Sequence, residues 1–291
     1  MLATGLAIRV VVVLWAGVAL AQTPLKLVSG NDYEPYADQG QSECGVATKR
    51  VKAAFKAVGV EVQIDWKPWN RGYHEALLGK YAGTFPYIYT AKRSRDFLYS
   101  RPIARAAHYV YTRHGDSRLN GPIEQLASAR SCVPLGWALP QRLIKLVAKN
   151  QIMPERPSNL AACVRMVQLN RADYLVSPSD VAIETFAKAG LAADVLERAD
   201  RPIADLTLHL IVPRSNPHAE QLIQQFDMGL QKLSQMDHCD VMIDQVGKSA
   251  VFLQDARKCD DKSVGSGFGS PHTEEDVVYK SVYEMVSEPL R

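Results

Sequence analysis

Hydrophobic and polar positions along this chain switch between a period of two and a period near 3.6. Residues 25–29, Leu-Lys-Leu-Val-Ser, read as a strand, and Gly30 to Tyr36 form a turn-rich loop with two tyrosines. Over 46–58 the pattern becomes helical: Val51, Ala54, Phe55 and Val58 make one stripe and Gly59 supplies the stop. Residues 60–66 alternate again, so strand, helix and strand predict a parallel pair joined by a crossover helix. A further helix is expected over 71–78, closed by Gly79, and a short strand over 82–85.

The same alternation then recurs. A strand over 107–112 leads into the polar stretch 113–120, which exits the first unit. The second unit has strands over 131–135 and 172–177, with helices over 139–149, 161–169 and 181–189. A strong strand at 206–212, a long amphipathic helix at 217–233 and a shorter one at 239–247 are free to return to the first unit. The expected organisation is a leader at 1–21, a first lobe at 22–112, a second lobe at 113–207, a return to the first lobe at 208–258, and a flexible tail at 259–291 rich in Gly and Ser at its start.

Composition narrows the function classes. The 291 residues are 47% hydrophobic and 22% charged, enough for one large or two medium domains. The formal charge of +3 comes from bases scattered among acids, which gives no footprint for nucleic acid. Met1 to Ala21 carries a single charge, Arg9, then an apolar run and the small-x-small triplet Ala19-Leu20-Ala21 before Gln22. That is the pattern of a secretory signal peptide cleaved near Ala21, and it places the mature chain in the periplasm. In that oxidising compartment, Cys132 is expected to pair with Cys163 and Cys239 with Cys259, leaving Cys44 free, although sequence alone leaves the connectivity open. The cysteines lack the close double spacing of a zinc site, so no metal and no cofactor are expected.

The richest chemistry lies between Gly83 and Pro102, where Phe85 to Tyr89 form an aromatic and apolar run and Thr90 stands where a helix N-cap would, three residues before Arg93. A helix start together with a two-pronged guanidinium makes a carboxylate receptor, whereas the plainer reading of Arg93 is a surface ion pair. Tyr33, Tyr36, Trp69 and the run from Phe85 to Arg93 all follow successive strands, the end of an open α/β sheet where ligands collect. The seven histidines are dispersed, with no metal or triad spacing, and no Gly-x-Ser-x-Gly or phosphate loop occurs, so the chain is read as a binder and not an enzyme.

Four segments taken together resemble the extracellular solute-binding proteins of family 3, the type II periplasmic-binding group of the polar amino-acid ABC-transporter class. They are Val28 to Tyr36, Lys67-Pro-Trp-Asn-Arg71, Thr90-Ala-Lys-Arg93 with Asp96 to Pro102, and Leu169 to Val176. The resemblance covers roughly residues 25–247 and implies an α/β protein with two lobes, each a mixed sheet flanked by helices, joined by two hinge crossovers near 108–112 and 208–212. A small solute would be trapped as the lobes close. By the same resemblance Arg93 of the Thr-x-x-Arg motif grips a ligand carboxylate with Thr90 capping beside it, and Tyr33 or Tyr36 stacks on the ligand. Trp137 falls where the second lobe makes contacts, and Trp69 and Arg71 are secondary candidates. Departures from the pattern also fall at the site. Phe85 to Tyr89, with Tyr87 as a candidate wall, replace small hydroxyl residues, and Ser177-Pro-Ser179 stands where an acid usually holds an α-amino group, with Asp180 the nearest substitute. The implied partners are a small solute and either an ABC permease or a membrane receptor, with the chain itself a monomer. The implied rival is an enzyme like cyclohexadienyl dehydratase on the same scaffold.

Overall fold

The computed structural model describes residues 23–236. The leader at 1–21, the Cys239 and Cys259 pair, the helix over 239–247 and the tail lie outside the described residues. Strands β1 (Leu25–Ser29) and β2 (Val62–Trp66) pair in parallel from Leu25 opposite Val62 to Ser29 opposite Trp66, with α1 (Val46–Ala57) crossing between them, as the alternation predicts. Helix α2 (Trp69–Leu77) then leads to β3 (Gly83–Ile88), parallel to β1. This strand runs through the aromatic run that the sequence suggests lies beyond its end, because all six of its residues are buried.

After the single turn α3 (Arg93–Asp96) comes β4 (Phe97–Thr112), which starts ten residues before the expected 107. Pro102 is unusual inside a strand, since it has no N–H to give a ladder. The pairing tolerates it through register shifts between Tyr99, Pro102 and Ala104. The second half of the chain adds β5 (Ser131–Cys132), α4 (Gln141–Ala148), β6 (Pro154–Glu155), α5 (Leu160–Gln168), β7 (Tyr174–Pro178), α6 (Ser179–Lys188), β8 (Glu197–Arg198), β9 (Ala204–Pro213) and α7 (Ala219–Met236). Strand β5 is much shorter than the expected 131–135, and β6 and β8 are too short to leave a periodic signal.

All nine strands join one mixed sheet in the order β2-β1-β3-β9-β4-β7-β5-β6, with β8 on β4. Helices α1, α2 and α7 pack at the β2-β1-β3 end, hereafter the first lobe, and α4, α5 and α6 at the β7-β5-β6 end, hereafter the second. Strands β4 and β9 run antiparallel through the middle, from Phe97 opposite Pro213 to His108 opposite Ala204, so both belong to each lobe. The Cys132–Cys163 disulfide joins β5 to α5 as expected, and among the described residues Cys44 is the free cysteine. No helix of the described residues is long and apolar enough to cross a membrane.

Helix α7 closes the first lobe by lying on α1. The Phe55 and Phe226 rings are 5.0 Å apart, and Gly229 approaches so closely that a Cβ there would overlap the Ala54 carbonyl oxygen. Two backbones this near cannot admit a methyl group without sliding apart. Gly229→Ala should therefore cost about 2 kcal/mol, the usual scale of overpacking. For a chain of this size that is a fall of roughly 5 °C in Tm, readable by thermal denaturation.

Candidate functional site: a cleft between the lobes

The loops after β1, β2 and β3 converge at the C-terminal ends of these strands, as open parallel sheets direct. They bring Tyr33, Trp69 and Arg93 to one cleft, which Tyr87 and Trp137 also line. The Trp69 ring lies against the Cα of Gly30, where no side chain would fit, and its Nε1 donates to the Asn31 carbonyl at 2.8 Å. That fixes an aromatic wall: Tyr33 meets Trp69 edge-on at 5.7 Å and Trp137 at 4.9 Å, and Trp69 meets Tyr87 at 5.8 Å. Such edge-to-face pairs are held by the ring quadrupoles. Burial pushes the Tyr33 hydroxyl well above its ordinary value and that of Tyr87 up to about 12, so both stay neutral donors.

Arg93 is held from several sides. Thr90 Oγ1 accepts from the Arg93 backbone N–H at 3.1 Å, closing the turn that presents the side chain. The guanidinium carbon sits 4.7 Å from the Tyr87 ring centroid and 5.7 Å from that of Tyr73, within cation–π range. One terminal nitrogen donates to the Ile88 carbonyl at 3.4 Å and the other to the Gly136 carbonyl, across the cleft in the second lobe, at 2.8 Å. Among the described residues no carboxylate lies within ion-pair distance of Arg93, so the surface ion pair is not what holds it.

The second lobe meets this face with a tight turn. Trp137 N donates to the Pro134 carbonyl at 3.0 Å with Gly136 at φ 89°, the third position of a type II turn, where glycine alone is unstrained. Val133 N and Leu135 N bond the carbonyls of Glu155 and Pro157 at 2.9 and 2.8 Å, which pins the turn to the strand beside it. Elsewhere the lobes touch through ionic and polar contacts. Lys188 of α6 bridges the buried carboxylates of Glu34 and Asp38, and Tyr36 Oη lies 3.4 Å from Asp180 Oδ2. The lobes are thus in contact, and the cleft between them, partly open to solvent, has about 40 Å³ of space, enough for only a few waters.

Of the expected site residues, Arg93, Tyr33, Trp69, Tyr87 and Trp137 line the cleft together. Thr90 stands behind and accepts from the Arg93 backbone N–H. Tyr36 is buried beside Tyr33, its hydroxyl 3.0 Å from the Arg105 carbonyl, and Asp180 faces it on α6. Arg71 points to solvent and pairs with Glu75 four residues on. The cleft also holds residues that sequence reasoning passed over, chief among them His108, Gly136, Val176 and Leu208. His108 had a signal: it shares a strand face with Ala106 and Val110, so the alternation turns a polar ring inward among apolar neighbours. Its Nδ1 lies 2.9 Å from the Ala106 carbonyl, and burial draws its pKa down to about 4 despite the charge of Asp205, so the ring is neutral near pH 7.

No protein-family model matches this chain, and no curated protein matches it either. Its fold is similar to a histidine kinase sensor domain with similarity to periplasmic binding proteins, at TM-score 0.62 and 18% identity over 73% of this chain and 91% of that one. An ancestral arginine-binding protein bound to arginine is similar at TM-score 0.61 and 16% identity, over 74% and 94% of the two chains. The ancestral amino acid-binding protein AncCDT-1, a precursor of cyclohexadienyl dehydratase, is similar at TM-score 0.56 and 20% identity, over 74% and 90%. At such identities the likeness establishes the fold: this chain has the two-lobed α/β architecture of periplasmic binding proteins.

Proposed function

We propose that this chain is a periplasmic solute-binding protein of the family 3 type, which captures a small carboxylate-bearing solute by closing its lobes about crossovers near residues 108–112 and 208–212. The observation that carries the reading is Arg93: a guanidinium set between two tyrosine rings, facing an aromatic cleft, with no carboxylate of its own. Its bond to the Gly136 carbonyl ties closure to the state of this one side chain. The Ile88 and Gly136 carbonyls take two of the five guanidinium N–H donors, and a carboxylate entering the cleft accepts from those left, a charge-assisted bond that keeps the tie to Gly136 in place. Binding thus selects the closed arrangement from an open one. Delivery to an ABC permease fits this role, and the likeness to a kinase sensor domain supports a membrane receptor as the alternative partner.

A thermal-shift screen of the mature chain against amino acids, short peptides and organic acids tests the reading. A solute at a hundred times its Kd raises stability by about 2.7 kcal/mol. Arg93→Ala should then weaken that solute about 30-fold by calorimetry, the scale of a charged hydrogen bond near 2 kcal/mol. Consumption of prephenate or arogenate in place of binding would move the protein to the dehydratase reading.

A further inference from the structure

We propose that the captured solute is a monocarboxylate without a cationic amino group, carrying an aromatic or branched apolar body. This rests on the reading of Arg93 as a carboxylate receptor and concerns what the rest of the cleft accepts. Around Arg93 the lining offers ring faces and edges from Tyr33, Trp69, Tyr87 and Trp137, and aliphatic surface from the second-lobe wall at Val176. Among the described residues the lining includes no acid.

The nearby acids have other occupations. Asp180, at the end of the strand that supplies Val176, lies 3.4 Å from both the Tyr36 hydroxyl and the Ser179 hydroxyl. Glu34 and Asp38 are held by Lys188. Asp205, whose charge reaches His108, is half exposed and lies 3.8 Å from Arg105. The Ile88 and Gly136 carbonyls, which border the cleft, already accept from Arg93. An ammonium group would also meet the positive charge of Arg93, with Arg156 close by outside the lining. Arg156 donates to the Trp137 carbonyl at 3.0 Å, close enough for the charge of Arg93 to add to burial in lowering its pKa.

The neutral acceptors left in the lining are the tyrosine hydroxyls and one ring nitrogen. Only a protonated nitrogen can donate to the Ala106 carbonyl, so Nδ1 of His108 carries the proton and Nε2 keeps its lone pair. Neutral lone pairs can accept ammonium protons but compensate none of the charge, and a buried cation left without an anion is costly. The Nε2 lone pair suits a hydroxyl on an otherwise apolar acid.

Calorimetry with matched probes decides the point: 3-phenylpropanoate against phenylalanine, and 4-methylpentanoate against leucine, on the mature wild-type chain. The acid of at least one pair should bind, at least about 10-fold tighter than its amino partner. Equal or tighter binding of the amino acids overturns this inference while leaving the carboxylate reading intact. Failure of both desamino acids overturns it as well, and failure of every carboxylate in the wider screen removes the proposed function with it. Val176→Asp supplies the missing acid on the second-lobe wall and should shift the ratio at least about 10-fold toward the amino acid. An unchanged ratio in a Val176→Asp protein shown to be folded by circular dichroism would also count against it.

Discussion

Gly136→Val is expected to weaken solute binding at least about 100-fold, the upper part of the overpacking scale, while the unliganded chain stays folded. Gly136 stands where the second-lobe turn meets the start of α2 in the first lobe. A Cβ there would lie 2.7 Å from Asn70 N and 2.8 Å from Trp69 Cβ, both closer than real contacts allow. The first obstacle is backbone and the second a carbon tied directly to it, so neither can swing aside as a long side chain would. Relief requires the lobes to part, which lengthens the 2.8 Å bond from Arg93 and draws Trp137 from its 4.9 Å contact with Tyr33. The penalty falls on the closed form alone, and closure is what holds the solute, so the loss appears as affinity.

Backbone strain is a separate effect and has its own control. At φ 89° any side chain at 136 is strained in whichever state keeps that turn. Gly190 also has positive φ, 65°, but nothing lies within 4 Å of a Cβ there. Gly190→Val should therefore lose a similar amount of stability and keep its affinity. Calorimetric titration and denaturation of both variants separate the two effects, and a Gly136→Val protein that binds as well as Gly190→Val would refute the role given to this contact.

What the sequence could and could not reveal follows from how each feature is encoded. Strand β1 and helix α1 were legible to the residue at their starts, because β1 opens on an alternating pair of residues and α1 repeats one buried stripe over its full length. The bond between Thr90 and Arg93 was legible because it is local, spanning three residues, although the residue that stands directly before α3 is Lys92 and not Thr90. The start of β4 was not, since Pro102 breaks the local rule and only its long-range partner β9 holds those residues extended. His108 and Gly136 fall in the same class. One is turned inward by a strand whose neighbours come from both lobes, and the other is a turn glycine whose importance lies in Asn70, more than sixty residues earlier in the chain. Asp180, a residue of the right type at about the right place, has its carboxylate beside Tyr36, a neighbour that a motif does not record.

Removing the Cys132–Cys163 disulfide should cost about 4 kcal/mol, a fall of roughly 10 °C in Tm. The two cysteines are 31 residues apart, and the estimate is the entropy that the unfolded chain recovers when a loop of that length is released. The consequence for binding comes from where the bridge sits. Strand β5 is only two residues long, Cys132 is its last, and the next residues are Val133 and the turn bearing Gly136 and Trp137. Two backbone bonds to Glu155 and Pro157 hold that segment, and the bridge to α5 fixes the strand from which it springs. Without the bridge, the short strand keeps its pairing with β7 and β6 but loses its tie to α5, and the second-lobe wall of the cleft loosens with it. Cys132→Ala/Cys163→Ala should therefore melt earlier and bind its solute at least about 10-fold more weakly, since ordering the wall is then charged against binding. Cys44→Ala, which breaks no bridge, should match the wild type in both respects. A double variant within about 1 kcal/mol of wild-type stability would show that packing between β5 and α5 suffices alone. Unchanged affinity in a destabilised double variant would show that the two backbone bonds hold the wall by themselves.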